Sequence, residues 1–360
     1  MNRRIQLLIA MFLVVPMLGI ANPKKNAGDY EKTKTIKKEY DVNADANLSI
    51  ENKYGNVDVI SWDQNKVEIE VTITVSGNNE AKVIERLSKI NVKFENSRSA
   101  VSAKTTLENN SKGWYNSKNK MNYQIDYKVK VPVTNSIDLN NDYGTITLNE
   151  IKGKAEISCD YGKILIGSLY HINNSVNIDY TSDSEIGLMN GGNVNANYSK
   201  FRVGKAKNIE LNADYTESVF ENIEELKFVC DYGNVEVKNA NIIEGQGDYI
   251  TMRFGTIYKK LSIQADYGGI KVDKLMKGFE SIDIHTDYAG IKIGLDSDVS
   301  FDFIAELNYA GFDYDEQNIT YLKKVVKSSS SYYEGFVNKE NSGSKMEISS
   351  EYGGVKIYNN

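Results

Sequence analysis

The sequence predicts an all-β protein, a single-stranded parallel β-solenoid in which one chain winds into stacked coils. Three observations predict this β-helix. An acidic-Tyr-Gly motif recurs, its spacing is regular, and segments of about five residues with alternating apolar and polar side chains flank it. The motif reads CDYGKILI at 159–166, CDYGNVEV at 230–237 and ADYGGIKV at 265–272. We expect a right-handed coil with an N-terminal β-rich cap that carries one short helix.

The repeat is marked by tyrosines that follow one another at nearly regular intervals. Coils of about 17–21 residues match this spacing and suit a solenoid whose neighbouring strands lie about 4.8 Å apart. Two outlying copies occur at Tyr54 and Tyr352. The tyrosines of the regular series are Tyr143, Tyr161, Tyr180, Tyr198, Tyr215, Tyr232, Tyr249, Tyr267, Tyr288 and Tyr309.

The alternation of side chains predicts where the tyrosine rings point. Ile157 and Cys159 precede Tyr161 by four and two residues, so the three side chains share one face of a strand. We therefore expect the tyrosines to stack inward as an aromatic ladder in the core. After the corner the apolar side chains move from the odd-numbered to the even-numbered positions, as at Ile164 and Ile166.

The residue after each tyrosine is expected to form the corner itself. Glycine can adopt positive φ without steric cost, which a sharp corner often needs. Other copies carry Thr, Ser or Ala at this position, so the corners cannot all share one geometry. The corner residues considered are Gly144, Gly162, Gly233 and Gly268, with Thr181, Ser199, Thr216 and Ala289 in their place elsewhere.

The N-terminus reads as a secretory signal peptide. Arg3 and Arg4 precede the apolar run LLIAMFLVVPMLGI, and cleavage is expected after Ala21. The run is shorter than the roughly 20 apolar residues of a membrane span, which disfavours an anchor. No second stretch approaches spanning length, so no transmembrane span is expected after cleavage.

The remaining organisation follows from composition and periodicity. Ala81, Ile84, Leu87 and Ile90 recur at helical spacing. The expected divisions are a signal peptide at 1–21, a linker at 22–39, an N-terminal β-rich capping region at 40–136 with a helix near 79–90, the β-solenoid at 137–314, a polar insertion at 315–345 and a closing coil at 346–360.

Charge and composition exclude several classes of protein. The net charge is −6, and the charges are mixed along the chain, so nucleic acid is a poor partner. The three prolines and 27 glycines suit a chain that keeps its backbone donors for strand ladders. An outer-membrane barrel is disfavoured, because its strands need about 9–11 residues of unbroken alternation.

With these residues the sequence resembles a family of adhesin-like proteins of unknown function from the envelope of Gram-negative bacteria, described as auto-transporter adhesin heads. The resemblance rests on LSIENKYGNVDVISWD (48–63), YKVKVP (127–132), the tandem YG repeats and SGSKMEISSEYGGVKI (342–357). It covers roughly residues 36–360. It implies a β-solenoid exported to the periplasm or the cell surface, and it offers no catalytic motif.

An acidic column is the first candidate for chemistry, because an aspartate precedes most of the repeat tyrosines. Stacked coils would bring these carboxylates about 4.8 Å apart, where like charges repel and a hard cation such as Ca²⁺ could bind. We instead expect each Asp to cap its own turn through backbone N–H groups. The weak candidates for a Ca²⁺ ladder are Asp142, Asp160, Asp231 and Asp266.

The other reactive residue types are few. Cys159 and Cys230 occupy the same repeat position four coils apart, about 19 Å, which is too far for a disulfide, so two free buried thiols are expected. His171 and His285 have no neighbours at metal-ligand spacing. Trp62 and Trp114 are candidate aromatics for contact with sugar. No catalytic residue, metal or cofactor is expected.

The sequence thus favours a non-enzymatic, exported envelope protein, an adhesin or an interaction scaffold, that binds through multivalent contact along a repeated face. A cell-surface glycan or protein is the expected type of partner. The alternatives are a carbohydrate-binding or carbohydrate-active β-helix protein and a periplasmic component of the envelope-stress response. A pair of carboxylates about 5–9.5 Å apart in a cleft would favour the enzyme.

Overall fold

The computed structural model of the chain describes residues 30–108, 121–314 and 318–359. Within these ranges the chain forms 23 β-strands in one sheet and one α-helix, so the all-β expectation is confirmed. The sheet is mixed, because antiparallel pairs occur at both ends of the parallel array. The expectation of a parallel sheet is therefore met only in part. The signal peptide, residues 22–29 and Trp114 lie outside the described residues.

Antiparallel strands form the N-terminal end of the sheet. β1 pairs with β4, β4 with β7, and β5 with β6. Residues 30–39, expected to be linker, form most of β1, where Thr and Lys alternate in a period-2 pattern that suits an edge strand. The strands are β1 (Tyr30–Asp41), β2 (Asn47–Lys53), β3 (Val57–Trp62), β4 (Lys66–Gly77), β5 (Ile90–Asn96), β6 (Ala100–Leu107) and β7 (Met121–Pro132).

The expected helix is present as α1 (Glu80–Ser88), and the Asn79 side chain caps it by accepting the N–H of Lys82. Its buried face differs from the expected one. Val83 and Arg86 are buried, whereas Ile84 is 51% exposed. The guanidinium of Arg86 lies 4.8 Å from the ring of Tyr123, a cation–π contact beside the apolar packing of Val83 and Leu87 on the core.

Parallel strands from successive repeats form the body of the sheet. Each copy pairs in register with the next, for example Ile157 with Val176 and Val203 with Phe220. The strands are β8 (Ser136–Asp142), β9 (Thr145–Ile151), β10 (Ala155–Asp160), β11 (Lys163–Leu169), β12 (Asn174–Asp179), β13 (Ser184–Asn197), β14 (Lys200–Asp214), β15 (Glu217–Asp231), β16 (Asn234–Leu275) and β17 (Ser281–Leu295).

Both outlying copies of the repeat belong to this parallel body. β2 and β3, around Tyr54, pair in register with β8 and β9, although α1 and the strands β4 to β7 come between the two copies in the chain. The copy around Tyr352 does not close the array, which corrects the expectation for residues 346–360. Its strands β22 and β23 lie between the copies of Tyr288 and Tyr309.

A hairpin covers the C-terminal end. Residues 319–337, expected to be part of a polar insertion, form two antiparallel strands, and β21 pairs with β18. The pairing supplies partners for backbone groups that the last coil would otherwise leave unpaired. The strands of this end are β18 (Phe301–Asn308), β19 (Phe312–Tyr314), β20 (Ile319–Val326), β21 (Ser330–Val337), β22 (Lys345–Glu351) and β23 (Val355–Asn359).

A continuous apolar core runs through the parallel body. The apolar positions expected on either side of each corner are buried, including Ile157 before Tyr161 and Ile164 after it. Side chains of the opposite parity are exposed or half-buried. This arrangement leaves the corner itself, where the tyrosines stand, as the boundary between core and solvent.

Candidate functional site

Twelve tyrosine rings form one exposed row, which we call the tyrosine column. Neighbouring ring centroids lie 4.7–5.2 Å apart, and neighbouring planes are within 10° of parallel. Such spacing corresponds to stacked aromatic pairs. In spatial order the column contains Tyr54, Tyr143, Tyr161, Tyr180, Tyr198, Tyr215, Tyr232, Tyr249, Tyr267, Tyr288, Tyr352 and Tyr309.

The rings point outward, so the expectation of an inward aromatic ladder is wrong. Column members are 36–64% exposed. The reason lies in the backbone, because every column tyrosine has φ between 48° and 63°, the left-handed region. This conformation ends the alternation of the strand and turns the Cβ of Tyr161 away from the face that Ile157 and Cys159 share.

Stacking determines which parts of the phenols a partner can reach. Inside the column each ring face lies against a neighbour, so ring edges and hydroxyl groups form the accessible surface. Tyr309 ends the column and is its most exposed member, at 64%. At the other end, Tyr123 packs edge-on against Tyr54 with their ring centroids 4.9 Å apart. A sugar ring therefore cannot stack face-to-face on the inner tyrosines.

An acidic column runs beside the tyrosine column, as the sequence predicts. Its members are in strand register, for example Asp142 with Asp160 and Asp160 with Asp179. The pKa of Asp160 is raised, first by burial and then by these two carboxylates. In spatial order the positions are Lys53, Asp142, Asp160, Asp179, Asn197, Asp214, Asp231, Asp248, Asp266, Asp287, Glu351 and Asn308.

Polar neighbours relieve the repulsion along the acidic column. Lys53 Nζ lies 2.6 Å from Asp142 Oδ2, and Asn197 Nδ2 donates to Asp179 Oδ1 at 2.9 Å. The Oδ1 atom of Asp231 accepts the backbone N–H of Asp248 at 2.8 Å, a bond to the next copy rather than to its own turn. These contacts join adjacent coils.

No group of three or more His, Cys, Asp or Glu side chains able to hold a metal ion occurs in the described part of the chain. The four carboxylates considered for Ca²⁺ stand in the column but are not gathered into such a cluster. They are Asp142, Asp160, Asp231 and Asp266.

The acidic column also affects the phenols. The pKa values of Tyr161, Tyr232 and Tyr267 are raised, first by partial removal from solvent and then by the neighbouring phenols and aspartates. These three hydroxyl groups therefore keep their protons at ordinary pH. Each can donate and accept a hydrogen bond.

The residue after the tyrosine packs against the previous coil. A Cβ added at Gly162 would lie 2.0 Å from the carbonyl oxygen of Gly144, and one at Gly268 would lie equally close to that of Ile250. Positive φ occurs at the tyrosine and not at Gly144, Gly162, Gly233 or Gly268, which corrects the expectation for these corners. Glycine is needed there for close approach of two backbones.

Three central copies replace these glycines with buried hydroxyl residues. Ser199 Oγ accepts the N–H of Thr181 at 3.1 Å, and Thr216 Oγ1 accepts the N–H of Ser199 at 3.2 Å. The hydroxyl groups donate in turn to carbonyl oxygens, such as that of Asp214. This hydroxyl ladder satisfies backbone groups at corners that are wide enough for a side chain.

The two thiols are buried and unbridged. Burial raises the pKa of Cys159 and Cys230 to about 12 in each case. Because the thiolate is the nucleophile, both side chains serve as small core residues at ordinary pH. Ala196, Ala213 and Ala265 occupy the same position in other copies.

The histidines and Trp62 are exposed or half-buried. His285 Nε2 lies 3.0 Å from Asp283 Oδ1, and His171 Nδ1 accepts the N–H of Asn173. Trp62 ends β3, donates to the carbonyl of Lys66 at 2.8 Å and carries the Lys130 ammonium over its ring. The ring of Trp62 is thus already engaged within the chain.

A groove of about 530 Å³ lies on the strand face that precedes the tyrosine column. Amide side chains line it at Asn212, Gln246 and Gln264, and Val229, 51% exposed, forms an apolar patch among them. Two of its three carboxylates are paired, since Glu244 lies 3.3 Å from Lys227 and Asp283 contacts His285.

Known proteins offer only distant likenesses. A proposed cell adhesion protein from Clostridium sporogenes is 12% identical, with 91% of this chain and 100% of that chain covered and a TM-score of 0.19. A proposed adhesin from Parabacteroides distasonis is 10% identical, with 72% and 92% covered and a TM-score of 0.31. A proposed lipid-binding protein from Parabacteroides distasonis is 12% identical, with 91% and 96% covered and a TM-score of 0.30.

At such TM-scores these likenesses carry no argument about function. No protein-family model and no curated protein matches the chain. In the part of the chain that the structure describes, no helix has the length and apolar character needed to cross a membrane.

Proposed function

We propose that the chain is an exported, non-enzymatic interaction protein of the bacterial envelope, an adhesin or a scaffold that presents the tyrosine column to its partner. The observation that carries this proposal is the column itself. Twelve half-exposed phenols stand in one row beside a mostly acidic row, with neighbouring ring centroids 4.7–5.2 Å apart. Exposed aromatic edges with hydroxyl groups are typical of binding surfaces, and core packing does not require them here.

We further propose that the body is a parallel β-solenoid. Successive copies pair in parallel on both sides of each tyrosine, and consecutive tyrosine N–H groups donate to the carbonyl of the acidic position in the next copy, as Tyr161 does to Asp179 at 3.0 Å. If the chain makes one coil between each tyrosine and the next, the strands before the tyrosine and the strands after it both pair in parallel with those of the next coil. The signal peptide expected at 1–21 supports export to the periplasm or the surface of a Gram-negative bacterium.

The mechanism is additive contact. A single phenol and its neighbouring carboxylate form a weak, shallow site, but the same pair recurs at most coils, with Lys53, Asn197 and Asn308 as the exceptions. A partner with a repeated structure can contact several coils at once, so weak contacts combine through a high effective concentration. A rigid β-stack keeps the contact points in register.

Several observations favour a non-enzymatic role. The groove carboxylate of Glu244 lies 3.3 Å from the Lys227 ammonium and that of Asp283 lies 3.0 Å from the His285 imidazole, and both carboxylates are about half exposed on an open groove. The two thiols are protonated and buried. None of these groups forms a nucleophile–base pair in the described residues.

The experiment compares retention of the purified chain on fixed cells and on outer-membrane vesicles of the producing bacterium. A column variant carries Tyr198→Asn, Tyr215→Asn and Tyr232→Asn, because asparagine tolerates the left-handed backbone. A control variant carries Glu185→Ser, Lys205→Ser and Asn222→Ser, all at exposed positions away from the column. Circular dichroism verifies that both variants are folded.

We expect the wild-type chain and the control variant to be retained and the column variant to be lost from at least one surface. Equal retention of all three would contradict the role of the column. Retention of none would contradict an adhesive role toward these surfaces.

The groove favours a second candidate function, binding of an uncharged oligosaccharide. Amides supply a donor and an acceptor each, and Val229 supplies an apolar contact, a combination suited to a sugar with vicinal hydroxyl groups. Titration of neutral oligosaccharides into the wild-type chain and into Gln246→Ala tests it. Asn140→Ala, an exposed amide outside the groove, is the matched control. Equal heats for all three proteins would exclude the groove.

A further inference from the structure

The last repeat copy is inserted between two others. β22 pairs in parallel with β17 on one side and with β18 on the other, so Ile348 stands in register with both Ile284 and Ala305. The ring of Tyr352 lies 4.7 Å from that of Tyr288 and 5.0 Å from that of Tyr309. We call the space that this copy occupies the slot and residues 345–359 the insert.

The two copies that form the slot are consecutive in sequence. The interval from Tyr288 to Tyr309 equals that from Tyr267 to Tyr288, yet the latter pair stacks directly with 5.0 Å between ring centroids. Residues 296–300 therefore connect copies that lie two steps apart, whereas residues 276–280 connect copies one step apart. If the insert leaves, β17 can therefore pair directly with β18 and close the slot. Each residue of β17 would then lie beside the β18 residue that follows it by the interval from Tyr288 to Tyr309.

Side-chain parity permits this closure. Ile282 and Ile284 are buried on β17, and their counterparts at that offset, Phe303 and Ala305, are buried on β18. Both strands would keep their apolar face toward the core if they paired directly. A molecule without its insert would therefore lose one coil and could keep a continuous array.

Contacts that hold the insert come from parts of the chain that are distant in sequence. Ser350 Oγ lies 3.1 Å from Thr286 Oγ1, and the Lys345 N–H donates to the carbonyl of Glu280 at 3.2 Å. On the other side the Asp302 N–H donates to the carbonyl of Ser344 at 3.0 Å. The same segment of a second molecule would make the same contacts.

The segment that leads into the insert has the character of a hinge. Residues 338–344 form no strand, and three of them, Asn338, Asn341 and Gly343, have φ of 57°, 55° and 91°. Side chains of this segment bond to residues 296–300, which connect the two copies that form the slot, as Ser342 Oγ does to the carbonyl of Ser300 at 3.0 Å. A short hinge before a terminal element is the arrangement in which exchange between copies occurs.

We propose that the slot is an acceptor site for the insert of a second copy of this chain, so that molecules join by exchanging residues 345–359. The exchanged form keeps every contact of the closed form and differs in the hinge alone. Direct pairing of β17 with β18 lowers the cost of the open intermediate.

The experiment detects exchange through one new disulfide. His285 and Ser349 are in register on adjacent parallel strands, at a separation that suits a disulfide between cysteines. One chain carries His285→Cys and another Ser349→Cys, with different tags. They are produced together in the cytoplasm without the signal peptide, purified and oxidised with diamide. Cys159 and Cys230 are buried in both chains.

We expect a disulfide-linked dimer that contains both tags. A matched mixture of Asn195→Cys and Asn212→Cys chains, also in register but on coils that are not inserted, should give none. A single chain with both His285→Cys and Ser349→Cys should form the bond internally, which verifies the geometry.

Monomers alone in the first mixture would overturn the proposal, as would dimers in both mixtures. Failure of the double variant to form its internal bond would overturn the position of the insert itself.

Discussion

The rings of Tyr161 and Tyr180 lie 4.8 Å apart and within 1° of parallel, and each is about half exposed to solvent. One relationship of this kind, repeated along the sheet, produces a surface whose chemistry changes little from coil to coil. Two local features create it. The left-handed backbone at each tyrosine directs the ring outward, and the strand register fixes the distance to the next ring.

The left-handed backbone at the column predicts an order of stability among substitutions. Tyr215→Asn removes stacking with Tyr198 and Tyr232, and asparagine accepts positive φ. Tyr215→Val removes the same stacking but places a β-branched residue in the left-handed region. We expect the valine variant to be less stable than the asparagine variant by about 1 kcal/mol. Urea unfolding measures the difference, and equal midpoints would contradict the role of φ.

Close backbone approach predicts opposite effects at two glycines. Gly162→Ala would place a Cβ 2.0 Å from a carbonyl oxygen, and we expect it to cost about 3 kcal/mol or to prevent folding. At Gly269 the nearest atom to an added Cβ is 3.8 Å away, so Gly269→Ala should leave stability unchanged or raise it by about 0.5 kcal/mol. Thermal unfolding of both variants checks this. A tolerant Gly162→Ala would show that the coils are farther apart.

The hydroxyl ladder predicts a loss for a small change. Ser199→Ala removes the acceptor of the Thr181 N–H, which then remains buried without that partner. We expect a loss of about 1–3 kcal/mol in the free energy of unfolding. Ser175→Ala, at a half-buried position on the polar face, serves as the control and should change stability by less than about 0.5 kcal/mol. Similar losses for the two variants would remove any special role of the ladder.

The buried thiols predict a dependence of stability on alkaline pH. Each has a folded pKa of about 12 against an ordinary value of 9.0, so the folded state holds its proton longer. The resulting stability is complete below about pH 9 and is lost as pH rises through 12. A tenfold difference in proton affinity between the folded and unfolded states corresponds to about 1.4 kcal/mol.

The double variant Cys159→Ala, Cys230→Ala tests this dependence, because alanine occupies the same position in other copies. Its stability between pH 9 and 11 should fall less than that of the wild-type chain, each protein being compared with its own value at pH 8. Tyr127, whose pKa burial raises to about 12, remains in both and should give the variant a residual slope. Identical slopes would mean that the thiols are accessible to water.

Much of this architecture was predictable from sequence. The spacing of the tyrosines gave the period, and the parity of Ile157 and Ile164 identified the buried faces before and after the corner. The direction of the ring of Tyr161 was not predictable from parity, because a single residue with positive φ reverses the alternation without changing the spacing. The sequence of β1 is likewise polar enough to be a solvated linker. Its pairing with β4, which the sequence does not reveal, makes it a strand.

The spatial order of the repeat copies could not be predicted from the sequence, for a different reason. Every copy has nearly the same pattern, so the insert around Tyr352 fits next to several coils equally well by its alternation alone. Its position between Tyr288 and Tyr309 follows from the connection at 296–300 and from contacts such as that of Ser350 with Thr286. The repeated motif therefore predicts the structure of one coil, but it does not predict the spatial order of the coils.

The proposed adhesive role of an exposed tyrosine column is tested most directly by labelling intact cells that produce Tyr215→Cys. The reagent is a maleimide that cannot cross the outer membrane, and the wild-type chain, with buried Cys159 and Cys230, is the blank. We predict labelling of the variant on intact cells and none of the wild-type chain. Labelling that requires permeabilised cells would place the protein inside the envelope and contradict adhesion, and no labelling in either state would contradict exposure of the column.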